Sequence, residues 1–334
     1  MDRSRFVRMG LPALLATLAA LLVASPAAGQ SAAVADASPA AAVSELLPTP
    51  TVLPAGTPPA RGQLTIAATT GIVADLVSQV AGPRAAVDSI LPANADPHDF
   101  EPAPEDLVAI EEADAVFRYG LHLDEWSEGL IENAATEVPV VVVTEGIETL
   151  ASDEEDFEEG DPHVWFDPTR VETMVETIAD ELTALDPEGA PTYEARRDVY
   201  LADLRALDTA IADAIATIPA ERRKLVTNHD AFGYYADRYG LTVVGTVIPG
   251  LETTAEPSAQ EIAALLELIE REGVPAVFAE NTTSPALAEE LAAEADVAIV
   301  DDLYSDSLGE PGSGADTYLG LMRTDTVVIV EALR

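Results

Sequence analysis

Cysteine is absent from the 334 residues, which excludes disulfides, thiolate metal centres, catalytic thiols and lipid attachment through an N-terminal cysteine. Basic residues are scarce. Seventeen lysines and arginines, with Lys224 the only lysine, face sixty acids, for a formal net charge of −43. So acidic a surface repels nucleic acid and anionic lipid headgroups, so no nucleic-acid partner is expected. It attracts cations only within a Debye length, and most of the excess reads as solubility in a salty medium. Four methionines and no cysteine leave no soft donor set for cuprous copper. Long apolar runs are missing as well. The most apolar stretch, Leu11 to Val23, is about 13 residues long, short for a transmembrane helix.

That stretch has the context of an export signal. Arg3, Arg5 and Arg8 precede it, and the small residues Ser25, Ala27, Ala28 and Gly29 follow it. Residues 1–29 are therefore expected to be a signal peptide, or an anchor if it is not cleaved. Residues 30–62 are rich in Ala, Pro, Thr and Ser without periodicity and read as a disordered tether. The chain is expected on the periplasmic or extracellular face of the membrane, with no lipid carried on cysteine.

From Gln63 onward, short β-branched runs alternate with helical periodicity. Strands are expected at 64–68, 86–91, 115–119 and 138–143, with helices at 72–80, 105–112 and from Asp124. A helix at 167–185 carries Val171, Met174, Val175, Ile178 and Leu182 at 3–4 spacing. Next comes the longest helical pattern, Pro191 to Ile218, about 40 Å at ~1.5 Å per residue and long enough to connect two lobes. A second alternating unit follows, with strands at 225–227, 242–247, 276–279 and 297–300. Its helices are expected at 231–239, 258–272, 285–295 and 315–333. The fold class is α/β: two lobes, each a roughly four-stranded parallel sheet with flanking helices. The expected divisions are an N-terminal lobe at 63–188, a linking helix at 189–219 and a C-terminal lobe at 220–334.

Histidine is used four times, and three of the four sit beside an aspartate: Asp96-Pro97-His98, Asp161-Pro162-His163 and Asn228-His229-Asp230. Neutral imidazole is the commonest metal ligand near pH 7, and a neighbouring carboxylate orients the ring. Proline places the first two histidines in loops. His98 follows a strand by a short loop, where parallel sheets bind ligands. Three such turns point to a single ion held from three loops. His122, in "YGLHLDEW", reads as an exposed loop residue.

The segments "DPHDFEPAPEDL" (96–107), "DPHVWFDPTRV" (161–171), "LVTNHDAFGYYADRYG" (225–240) and "LYSDSLG" (303–309) occur in one order and spacing. Together they resemble the metal-binding solute-binding proteins of zinc and manganese ABC importers, the cluster A-I type. The likeness runs from Gln63 to the C-terminus. It implies two lobes joined by one long rigid helix, a divalent ion in the cleft, a membrane permease as partner, a monomer and no catalysis. It implies ligands at His98 and His163 from the first lobe and at His229 and Asp306 from the second. Asp306 rests on the "SDS" match alone, and Glu280, Asp301 and Asp302 stand near strand ends as alternatives of supporting role. The histidine-rich loop of some zinc members has as its counterpart the acidic stretch 152–160, which lacks histidine and reads as a solvated loop.

Three nitrogens and one oxygen favour zinc as the transported ion, with manganese next; a bidentate Asp306 would admit manganese or ferrous iron. In the family the resemblance names, glutamate at the position of His229 accompanies manganese. Two other classes stay open: a secreted metallohydrolase with an open three-histidine zinc site, and a surface adhesion protein pinned by zinc. Trp165 and Phe166 are expected to pack and exclude water, and Glu101 to orient its loop through backbone hydrogen bonds.

Overall fold

Parallel pairing needs a covered crossover between strands, and the first half of the chain supplies it. The computed structural model describes residues 47–49, 51, 53 and 62–334, apart from 136, 153, 155, 156 and the side chain of 302. The expected signal at 1–29 and most of the stretch 30–62 lie outside the described residues. Strands β1 (Leu64–Ala68), β2 (Ala85–Ser89), β3 (Ala115–Arg118) and β4 (Val140–Val142) form one parallel sheet in the order β2-β1-β3-β4. Ile66 stands opposite both Val87 and Ala115, and Phe117 opposite Val141.

Helix α1 (Gly71–Ala81) starts where the Thr70 hydroxyl accepts from the Val73 N–H, and it buries Ile72, Val73, Leu76, Val77 and Val80 on the sheet. It stops at Gly82, whose φ of 56° suits glycine, with Pro83 behind it. Helix α2 (Pro104–Glu112) begins with proline at its first turn, and the Asp106 carboxylate accepts from the Ala103 N–H at 2.7 Å. Helix α3 (Trp126–Asn133) covers the same face of the sheet as α2, with Trp126 edge-on to Phe100.

Helix α4 (Pro168–Leu185) is capped by Asp167, whose carboxylate accepts from the Thr169 N–H. It packs along α5 (Ala190–Ala216), the long helix, whose 27 residues span roughly 40 Å. Tyr193, Tyr200, Leu204, Leu207, Ile211 and Ile215 form its buried stripe. Along its length α5 also contacts α1 and the final helix.

The second half holds β5 (Lys224–Thr227), β6 (Thr242–Thr246), β7 (Ala276–Glu280) and β8 (Ala298–Leu303). Its helices are α6 (Gly233–Tyr239), α7 (Ala259–Glu272), α8 (Ala286–Glu294) and α9 (Tyr318–Leu333). The four expected strands are present and parallel, but their ladders divide into β5-β6 and β7-β8. Register shifts at Leu225/Val226 and Phe278/Glu280 bend both pairs near the ends that carry functional side chains. Ser258 and Glu261 form a reciprocal cap on α7, and Gly273 in left-handed conformation ends it.

Part of the stretch expected to be a disordered tether is docked. Leu47 is buried in the main core, Arg323 donates to the Pro48 carbonyl, and the Thr51 N–H donates to the Asp203 carboxylate at 2.7 Å. Leu47 joins the core cluster that includes residues of α5 and α9, and the two bonds beside it reach Asp203 of α5 and Arg323 of α9.

Candidate metal centre

His229 and Asp306 lie just beyond the carboxyl ends of β5 and β8, His98 lies in the loop that leaves β2, and His163 lies at the end of the long connection from β4 to α4. The repeated Asp-Pro-His triplet builds a similar turn twice. Asp96 Oδ1 accepts from the His98 N–H at 2.9 Å, and Asp161 Oδ1 accepts from the His163 N–H at 2.9 Å. The second turn does more. Asp161 Oδ1 also lies 2.7 Å from His163 Nδ1. The first does not orient its ring this way; Asp96 Oδ2 instead accepts from the Thr253 hydroxyl at 2.6 Å.

For His229 the orienting carboxylate is not the adjacent Asp230 but Glu280, at the end of β7. Glu280 Oε2 lies 2.5 Å from His229 Nδ1, while Oε1 accepts from the N–H groups of Asn228 (2.8 Å) and His229 (3.1 Å). Asp230 spends its own N–H on the Gly250 carbonyl. The sequence offers Glu280 for a supporting role together with Asp301 and Asp302, without naming the ring it supports. The signal available was a carboxylate closing the otherwise apolar strand AVFAE. Because an ionised carboxylate only accepts, Asp161 and Glu280 hold the Nδ1 protons of His163 and His229, leaving their Nε2 atoms turned to the centre.

Asp306 is set by its neighbours. The Tyr304 N–H donates to Asp325 at 2.9 Å, and the Ser305 N–H to the Asn281 side-chain oxygen at 3.1 Å. The Trp165 indole N–H donates to the Ser305 carbonyl at 3.2 Å, tying the His163 turn to the Asp306 turn.

The four side chains converge. One donor atom from each of His98, His163, His229 and Asp306 lies within 4.8 Å of the other three. His163 Nε2 and His229 Nε2 are 3.3 Å apart, and the Asp306 oxygens stand 3.4 and 3.3 Å from them. The His98 ring centre is 5.8 Å from each of the other two imidazoles. His163, His229 and Asp306 are fully buried. His98 Nε2 and Asp306 Oδ1 are buried without a hydrogen-bond partner, which carries a free-energy cost unless something else satisfies them.

The electrostatics divide the histidines. Burial, helped by the neighbouring imidazoles, pulls His98 down to about 3, so it is neutral at any physiological pH. Burial also works against charge on His163, but Asp161 and Asp306 outweigh it and lift the group to about 9. His229 is raised in the same way: burial opposes it, while Glu280 and Asp306 prevail. Asp306 is held well below the usual carboxylate range by the two imidazoles, against its burial. The result is three imidazoles and one anionic oxygen in a largely buried cluster, a donor set that suits a divalent transition metal.

Other residues fall outside this cluster. His122 pairs with Glu125 at a left-handed backbone position. Glu101 is exposed, and Asp106 rather than Glu101 supplies the carboxylate that holds the loop's backbone. Asp301 is exposed. Trp165 and Phe166 are buried, with the Trp165 ring 5.2 Å from His163 and edge-on to it. The acidic stretch is not wholly solvated: Glu154 accepts from the Leu251 N–H at 3.1 Å, across from its own half of the chain.

Comparison with known proteins places the chain in a family. The family model described as zinc-uptake complex component A, periplasmic, matches residues 66–332. The manganese-binding lipoprotein MntA of Halalkalibacterium halodurans is 35% identical over 270 residues, covering 81% of this chain and 88% of that protein. The iron-binding protein YfeA of Yersinia pestis is 33% identical over 259 residues, covering 77% and 82%. Among solved structures, the periplasmic zinc-binding protein TroA from Treponema pallidum superposes with a TM-score of 0.75 at 31% identity, covering 81% of this chain and 99% of that one. Several relatives are named lipoproteins, so the expectation of a chain without a lipid finds no support there. With its two α/β halves, long connecting helix and convergent histidines, the chain belongs to the zinc-uptake component A family, the metal-binding substrate-binding proteins of ABC importers.

Proposed function

We propose that the chain captures one divalent transition-metal ion, zinc in preference to manganese, through His98, His163, His229 and Asp306, and delivers it outside the cytoplasm to an ABC permease. The observation that carries this reading is the convergence of four donor atoms within 4.8 Å in a buried pocket. Three nitrogens to one oxygen weigh toward zinc, since manganese favours more oxygen. Relatives named for manganese and iron make the metal a property of the donor set rather than of the family. The lobes run over 63–188 and 220–334, joined by 189–219, and the chain acts as a monomer.

Binding rather than hydrolysis fits the donors. A catalytic zinc keeps a position for water and a base beside it. Here the fourth donor is a buried carboxylate, and the two carboxylates in contact with the imidazoles, Asp161 and Glu280, are tied to Nδ1 atoms. The test is calorimetric titration of the chelator-stripped full chain with Zn2+ and with Mn2+, followed by competition between them. One ion per chain and tighter zinc binding support the proposal. Two comparable tight sites, or manganese displacing zinc at equal concentration, count against it.

A further inference from the structure

One loop of the second half touches the turns that carry His98 and His229. Residues 248–254 follow β6. On their own side, the Ile248 N–H donates to the Asn228 carbonyl at 2.6 Å, and the Gly250 carbonyl accepts from the Asp230 N–H at 2.9 Å; these two residues flank His229. Toward the first half, the Thr253 hydroxyl donates to Asp96 Oδ2 at 2.6 Å, and the Leu251 N–H donates to Glu154 Oε1 at 3.1 Å. Asp96 passes that contact on, because its other oxygen accepts from the His98 N–H at 2.9 Å. The His98 turn is therefore bonded to a loop that is itself bonded on either side of His229.

We propose that Thr253 and Glu154 are positioning residues that latch the 248–254 loop across the two halves, hold the His98 turn in place and so set how slowly the captured ion leaves. The proposal rests on the metal-capture reading above. Neither residue offers a donor to the four-residue cluster. Thr253 is partly buried and its bond is to a carboxylate, the stronger kind of hydrogen bond; Glu154 is exposed, so its share is smaller. For the acidic stretch 152–160 the sequence alone predicts a solvated loop. The Glu154 contact gives that stretch a structural role that needs no metal-binding histidine.

The measurement is stopped-flow release of Zn2+ from the loaded full chain into excess chromophoric chelator, at chelator concentrations where the rate no longer depends on the chelator. Loss of the hydroxyl in Thr253→Val is expected to raise the release rate roughly tenfold, the scale of one hydrogen bond to a charged group. Thr253→Ser keeps the hydroxyl and is expected to restore the parent rate, which a packing role for the threonine methyl would not do. Glu154→Ala, at an exposed site that should not impair folding, is expected to accelerate release by about two- to threefold. Parent release rates in both Thr253→Val and Glu154→Ala overturn the latch while leaving metal capture standing. A Thr253→Ser variant as fast as Thr253→Val also overturns it. No Zn2+ bound by the parent chain at all would instead overturn the capture reading.

Discussion

Loading this site must expel a proton, and the structure gives the pH window. In the metal-free chain His163 is raised to about 9, and His229 is raised by Glu280 and Asp306 against its burial. The two Nε2 atoms are only 3.3 Å apart, so their mutual repulsion resists a second proton, and near neutrality the pair holds about one. His98, depressed to about 3, brings none. A sequence reading with three ordinary imidazoles expects affinity to fall below about pH 6, with up to three protons competing. The structure moves that fall upward. Affinity is expected to rise about tenfold per pH unit between 6.5 and 8.5, or roughly 100-fold in all, for one proton released.

The same shift acts on stability, with the opposite sign for the metal-free chain. Its raised folded-state value means that the His163 contribution is fully present below pH 6.5 and is lost as pH rises through about 9. Its size is on the order of 3 kcal/mol for a shift from 6.5 to about 9. The rise in melting temperature on adding Zn2+ should therefore widen from pH 6.5 to 9. Chelator competition across that range gives the affinity slope, and calorimetry in buffers of different ionisation enthalpy counts the protons. An affinity flat from pH 6.5 to 8.5, falling only below 6, refutes the reasoning.

Three other outcomes are expected. Glu280→Gln keeps the shape but presents an N–H to His229 Nδ1, pushing the ring proton onto Nε2; zinc affinity should drop about 10–100-fold, while Asp230→Asn changes little, as read by competition titration. His229→Glu exchanges nitrogen for oxygen and should lower the zinc-to-manganese affinity ratio; an unchanged ratio would remove His229 from the donor set. Small-angle scattering of the chain with and without Zn2+ should show nearly the same radius of gyration, and a change of several ångströms would mean wide hinge opening.

The α/β alternation, the long helix and the three histidine turns were legible because each has a local signature: β-branched runs, 3–4 spacing, and histidine close to aspartate, with proline between them in two of the three. Asp306 had none and came only from its resemblance to a family segment. Glu280 was legible as a candidate for a supporting role, but its pairing with His229 was not, because it lies 51 residues away in the chain and meets the ring only when β5 and β7 lie side by side. Adjacency in sequence pointed to Asp230 and was misleading. The same adjacency held for Asp161, where the turn after proline brings carboxylate and ring together within three residues. Leu47 was illegible for a related reason: its docking depends on a seam between helices far along the chain.

Helix α5 makes the loops the movable part of the site. It is backed by α1 and α4 from the first half and by α9 from the second, so bending it would expose buried residues such as Tyr200, Leu204 and Leu207. Three large side chains returned to water cost several kcal/mol, more than the few hydrogen bonds that hold the 248–254 loop. Metal entry and release should therefore follow the cheaper route, in which the latch at Thr253 and Glu154 opens and the His98 and His229 turns separate while both halves stay seated on α5. This ordering makes one fact about rates follow from another about shape: the latch variants should change release kinetics without changing the radius of gyration of either the loaded or the metal-free chain. A Thr253→Val chain that expands measurably on metal loss, while the parent does not, would show that the loop restrains the halves themselves and that α5 is not the stiffer element.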